Sequence, residues 1–179
     1  MPDYQWAGYE LVACITVTAM SSAEAAVRAL EPTAREVASF DEAQQAAWGS
    51  YELCHAMTIQ TDRHVIVWED NGYRGVSDEP FLRLCSPGPA GSLFVNVNAV
   101  SNLVLGRHGT IVRQFDPLFR GDTDEGTGEP LAAEATLDWT MGDYLASSLA
   151  LIADYTGLKD PFEQEWFESP RARQWLLRY

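Results

Sequence analysis

No apolar run in this 179-residue chain approaches the roughly 20 residues that a helix needs to cross a bilayer, so no membrane span is expected. Basic residues are scarce: 12 Lys and Arg stand against 26 Asp and Glu, for a formal net charge of −14. That balance repels phosphate backbones and anionic lipid, which excludes nucleic acid and membrane surfaces as partners. The acidity itself has two readings, solubility or a face that meets a basic protein. Only three cysteines occur, Cys14, Cys54 and Cys85, widely spaced and odd in number. A secreted disulfide framework would be even and denser, so reduced thiols are expected. Met1-Pro2-Asp3-Tyr4 carries no basic n-region and Leu11–Ala19 no convincing cleavage site, which points to the cytoplasm. No paired Cys/His spacing announces a metal, and G-x-S-x-G, Walker-A and G-x-G-x-x-G motifs are all missing. Neither a cofactor nor a catalytic residue is assigned on this basis. Sites assembled only in three dimensions leave no such linear trace.

Apolar content is nevertheless ample. Hydrophobic residues make up 46%, and six Trp, seven Tyr and seven Phe supply large anchors for a core. The length fits one domain spanning residues 1–179. Tyr9–Thr18 reads as a buried strand. It leads into Ser21…Glu24, a capping box before a helix with Ala23, Ala26, Val27 and Leu30 on one stripe. Thr33…Glu36 and Asp41…Gln44 repeat the cap signature and predict two short helices. Glu52–Gln60 and His64–Glu69 form a hairpin whose turn, Thr61-Asp62-Arg63, lacks glycine. Phe81–Cys85, Ser92–Val100, Leu103–Arg107 and Thr110–Asp116 read as further strands, with His108-Gly109 as a turn. Residues 120–135 read as a loop and Leu137–Thr156 as the longest helix, closed by Gly157. Asp160-Pro161 and Ser169-Pro170 each predict a short terminal helix. The fold class is α+β: a mainly antiparallel sheet covered by helices from the N-terminal and C-terminal parts of the chain.

Few residues point to chemistry. Cys54 and His55 are adjacent on a strand and face opposite ways, so they form no dyad with each other. His64 and His108 sit at turns, where exposure is the ordinary explanation. Gly121–Gly126 resembles a cation loop, yet threonine falls where an EF-hand needs glycine and alanine where it needs glutamate. Arg120-Gly121-Asp122 spells an adhesion tripeptide and reads as chance. The oddest feature is Asn96 and Asn98, placed on one face of a strand that disfavours asparagine. Their amides either satisfy nearby backbone groups or, with Asp116, form a patch that touches a ligand or partner.

Phe94–Ser101 (FVNVNAVS), the glycine-containing hairpin after it and Phe115-Asp-Pro-Leu-Phe119 resemble an actinobacterial family of uncharacterised proteins. Cys14–Thr18 and the capped helix after it fit the same pattern. The resemblance implies a bacterial, cytoplasmic domain and brings no catalytic residues with it.

The leading functional reading is a non-enzymatic protein-binding domain, an acidic inhibitor or immunity-type partner of a basic protein. It rests on acidity, missing catalytic motifs, and the C-terminal cluster of Trp166, Phe167, Arg171, Arg173 and Trp175, since aromatic and Arg clusters anchor interfaces. Docking of the last helices on the sheet is the rival explanation of those aromatics. The alternative function is a small enzyme or small-molecule-binding domain, with a pocket between sheet and helices lined by Asn96, Asn98 and Asp116. Oligomeric state is left open.

Overall fold

The β-branched run Ala13–Thr18 (β1) is buried along its whole length and pairs antiparallel on both sides, which makes it a central strand. The computed structural model describes residues 4, 6–8, 11–120, 126–159 and 162–179. The other strands are Arg35–Val37 (β2), Leu53–Gln60 (β3), Val65–Asp70 (β4), Ala90–Val95 (β5), Ser101–Arg107 (β6), Thr110–Phe115 (β7) and Arg173–Arg178 (β8). All join one antiparallel sheet in the order β2-β8-β3-β4-β1-β5-β6-β7.

Pairing fixes which residues share an end of the sheet. Ala13 lies opposite Asp70 and Val95, Val95 opposite Ser101, and Leu53 opposite Arg178; this is the upper end. Thr18 lies opposite Val65 and Ala90, and Ala90 opposite Gly106; this is the lower end. Alternation then separates the faces. One face carries Ile15, Ile66 and Leu93, which cluster with Leu145, Leu149 and Ile152 of helix α4 (Tyr144–Thr156). The other carries Val65, Val67, Trp175 and Leu177, which cluster with Ala26, Val27 and Leu30 of helix α1 (Ala23–Leu30).

Local signals decide several elements. Ser22, and not the expected Ser21, caps α1, its Oγ accepting from the Ala25 N–H at 3.1 Å, and the predicted Ala23/Ala26/Val27/Leu30 stripe is buried. The β3–β4 turn manages without glycine because Thr61 substitutes a side chain. Its Oγ1 accepts from the His64 N–H at 3.0 Å, and its own N–H donates to the His64 carbonyl at 2.8 Å. His108 and Gly109 both adopt positive φ, 52° and 70°, as the β6–β7 turn requires. Gly157 ends α4 in the left-handed region at φ 75°, while the Leu158 N–H reaches back to the Ala153 carbonyl.

Several expectations fail. The Thr33…Glu36 helix is instead β2. The next helix, α2 (Phe40–Trp48), is capped by Ser39, whose Oγ accepts from the Glu42 N–H at 3.2 Å, and not by Asp41. Phe81–Cys85 belongs to a helix, α3 (Asp78–Leu84), with acids in its first turn favouring the positive end of the dipole. β5 stops at Val95, so Asn96–Val100 is a turn and not strand. Ser169-Pro170 precedes β8, not a helix. The long helix also begins only at Tyr144, which leaves Met141 ahead of it and exposed. α5 is the single turn Glu165–Glu168. The proposed cap at Asp160-Pro161, the start of the first strand at Tyr9-Glu10, and residues 121–125 of the cation loop and adhesion tripeptide lie outside the described residues.

Among the described residues, no helix is long and apolar enough to cross a membrane.

Candidate functional site

The large exposed apolar side chains share one region. Trp48, which is 80% exposed, and Tyr51 flank the turn that enters β3 at the upper end. Tyr73 follows β4 at that end. Its ring stacks on Tyr179, just past β8, with centroids 5.4 Å apart and planes at 15°. Tyr179 is held there by its N–H, which donates to the Glu52 carbonyl at 2.9 Å. Val97 and Val100 sit on the β5–β6 turn, and Phe119 on the single-turn helix Pro117–Phe119 that follows β7. Both connections lie at the upper end. Met141 precedes α4, whose other end, Thr156, bonds His64 at the lower end. Scattered single apolar residues are ordinary; here they fall at one end of the sheet. Glu52 is exposed among these side chains, with half-buried Asp70 and Asp116 at the same end.

A cleft opens beside this face. Trp6 stacks on Trp68 with centroids 6.1 Å apart, and a space of about 520 Å³ runs between them and Gly8, Leu11, Asp70 and Gln164. A smaller lobe of about 170 Å³ shares Trp68, Asp70 and Gln164 and reaches Phe40 and Met57. Burial pushes the Asp70 carboxyl above its usual range, and His55 on neighbouring β3 partly offsets that. His55 is only 1% exposed and burial pushes its pKa down, which favours the neutral ring. The Gln174 amide donates to the carbonyls of Phe167 and Ala172, which turns its Oε1 toward His55 Nε2 at 2.7 Å. Nε2 therefore carries the proton. Nδ1 keeps a buried lone pair with no hydrogen-bond partner.

Beneath Tyr73 and Tyr179 lies a buried polar cluster on the opposite face of the sheet. Glu69 on β4 is fully buried and accepts from the backbone N–H groups of Gly75 (2.8 Å) and Arg74 (3.0 Å). Burial dominates and raises its pKa to about 7, against the lowering effect of those two bonds. Cys14 on β1 and Ser92 on β5 lie 3.3 Å apart, and Thr16 Oγ1 is 2.8 Å from Ser92 Oγ. Burial and the Glu69 charge push the Cys14 thiol well up, and burial holds Cys54 at about 12, so neither is a ready thiolate. Glycine is obligatory above this cluster. A Cβ on Gly75 would stand 2.7 Å from Ser92 Oγ and 2.8 Å from Cys14 Sγ; one on Gly72 would stand 2.8 Å from Glu69 Oε2 and 2.9 Å from the Tyr179 hydroxyl. The carboxylate thus pins the 71–77 segment, and with it Tyr73, onto the sheet.

The residues singled out in the sequence divide. Asn96, Asn98 and Asp116 all lie at the upper end, where the side chains of Asn96 and Asp116 bond their own loops. Asn96 Oδ1 accepts from the N–H groups of Asn98 (2.9 Å) and Val100 (3.1 Å). Asp116 Oδ1 accepts from the Leu118 N–H at 3.0 Å and from the Ser101 hydroxyl. The C-terminal set does not form one surface. Phe167 and Trp175 are core, with Trp175 Nε1 donating to Thr58 Oγ1 at 2.9 Å. Arg173 makes a two-pronged pair with Glu36 at 2.7 Å each. Trp166 and Arg171 stay together elsewhere, the guanidinium 4.8 Å from the ring centroid.

The described part of the acidic loop is not simply solvated. Glu134 is buried, pairs with fully buried Arg113 at 3.1 Å and with Arg120 at 2.9 Å, and ties that segment to β7. Among the described residues, no three His, Cys, Asp or Glu gather as metal ligands.

Residues 3–159 match DUF6461, a family of unknown function. No curated protein and no solved structure matches the chain.

Proposed function

The chain belongs to DUF6461, and we propose that it is a non-enzymatic protein-binding domain, of inhibitor or immunity type, that docks a basic partner on the upper end of its sheet. The gathering of Trp48, Tyr51, Tyr73, Val97, Phe119 and Tyr179 at that end is the observation that carries the reading. Aromatic side chains bury large area at little entropic cost and are the usual anchors of interfaces. Charge selects the occupant. A second copy would bring another −14 against Glu52, Asp70 and Asp116, whereas a basic surface meets them with the opposite sign. Packing supports a rigid platform, because Glu69 and the two close-approach glycines fix the Tyr73 segment before any partner arrives. The resemblance seen in the sequence and the three buried thiols favour an actinobacterial, cytoplasmic setting.

The test begins with capture from native cells, using as baits the unmodified chain and the variant Trp48→Ala/Tyr51→Ala/Tyr73→Ala. The captured protein is then purified and its affinity measured across a salt series. A basic partner is expected, with affinity falling as salt rises and dropping about 30-fold or more in the triple variant. Equal retention by both baits, or self-association of the chain through this end in light scattering, would refute the reading.

A further inference from the structure

We propose that the lower end of the sheet carries a second site, an anion-binding basin for a small phosphorylated molecule. The basin encloses about 440 Å³, within the range of small-molecule sites, and lies between the β3–β4 turn, the end of α4 and the segment before β8. Among the described residues, Arg63, Lys159 and Arg171 line it, with Asp62 as the carboxylate.

Most other cations of the molecule are paired, Arg107, which meets Tyr155, and Arg178 excepted. Arg28, Arg35, Arg74, Arg83, Arg113, Arg120 and Arg173 each pair with a glutamate. Among the described residues, Arg63, Lys159 and Arg171 pair with no carboxylate, although acids exceed bases twofold in the chain. Three cations left unpaired around one concavity repel one another, and a bound anion relieves that repulsion.

The end of α4 does not account for them. Three of its last four carbonyls are already satisfied: Ala153 by the Leu158 N–H, Asp154 by the Gly157 N–H, and Thr156 by His64 Nε2 at 3.0 Å. Each cation also springs from a fixed piece of backbone. Arg63 sits on the turn locked by Thr61, and Lys159 follows the left-handed cap at Gly157. Arg171 lies over Trp166, which orients the guanidinium while leaving its N–H edge for a ligand. A single carboxylate would be served by one arginine. Three converging cations suit a group with more charge and three acceptor oxygens, which is a phosphate. Ile59, Leu158 and Trp166 in the same lining offer an apolar wall for the organic part. A long polyanion is disfavoured by the net charge of −14, so the ligand is small.

Lys159 is the only lysine in the sequence, which makes it a built-in reporter. Reductive 13C-dimethylation keeps its charge and gives one side-chain signal to follow by NMR. Titration with pyrophosphate at constant ionic strength is expected to shift that signal saturably, with a sub-millimolar Kd. Arg63→Ala and Arg171→Ala, both at exposed positions, should each weaken binding about tenfold or more with unchanged circular dichroism. A shift that only tracks ionic strength, equal affinity for sulfate, or saturation unaltered in the double variant would overturn the proposal. The aromatic upper end is untouched by these variants, so the outcome is independent of the partner proposed there.

Discussion

Replacing Glu69 with Gln is the sharpest probe of the buried cluster, because it separates the carboxylate's shape from its charge. In the folded protein this group titrates near 7, against 4.5 when free in solution. Below pH 4.5 both folded and unfolded chains hold the proton. Between 4.5 and 7 the unfolded chain releases it while the folded chain keeps it, so stability falls as pH rises. Above 7 both are ionised and the loss levels off. A gap of 2.5 in pKa corresponds to about 3 kcal/mol over that window. Asp70, also shifted upward, adds loss of the same sign; His55, shifted downward, works the other way below 6.5. The difference between the two proteins isolates Glu69 from both. Gln removes the ionisation but offers a single acceptor, so one of the Arg74 and Gly75 N–H groups meets an amide donor, at about 1–3 kcal/mol. Glu69→Gln should therefore be less stable than the parent near pH 4.5 and close to it at pH 8. Urea unfolding followed by tryptophan fluorescence, repeated from pH 4.5 to 8, measures this directly. Parallel stability curves for the two proteins across that range would refute the assignment of a buried, proton-holding Glu69.

Four further outcomes follow from the same geometry. Glu134→Ala strands fully buried Arg113 without its glutamate and should cost about 3–5 kcal/mol in chemical denaturation; the double change Arg113→Met/Glu134→Leu should recover most of that. Gly75→Ala forces a methyl against Ser92 and Cys14, with an expected loss of about 1–3 kcal/mol read from the thermal midpoint. Thr61→Ala removes the side-chain closure of the β3–β4 turn and should cost about 1 kcal/mol in the same assay. Trp48→Ala and Tyr51→Ala should leave stability within about 0.5 kcal/mol, as expected for exposed contact residues; a larger loss would mean that these side chains support the fold.

The hairpins, the α1 stripe and the Gly157 cap were legible because each is governed by a few adjacent residues, although the α1 cap falls at Ser22 and not at the expected Ser21. β8 was not. Gln174–Leu177 are all buried, so no alternation marks them as strand, and Ser169-Pro170 ahead of them imitates a helix start. α3 was hidden by its short, bulky Phe81-Leu82, although Asp78-Glu79-Pro80 is a helix opening by composition. The asparagine turn was misjudged because Val95, Val97 and Val100 mimic a strand across a segment that Asn96 closes on itself. The aromatic face was beyond reach, since residues 48, 51, 73 and 179 meet only through sheet order. Two local signs did exist: an aromatic beside a glycine turn, in Trp48-Gly49 and Gly72-Tyr73, and the acidic pair Glu69-Asp70 closing the apolar run Val65–Trp68.

The place of β8 between β2 and β3 also bears on how the chain is made. Residues 173–178 are translated long after β2 and β3, yet they fill the position between them in the sheet. Until they arrive, β2 has no neighbour and β3 shows a bare edge, the kind of template on which nascent chains pair wrongly. The sheet therefore closes only once β8 has been made, by insertion of a strand between two that are already waiting. The loop that closes there spans most of the polypeptide, which makes that insertion the slow step and the one most in need of protection in the cell.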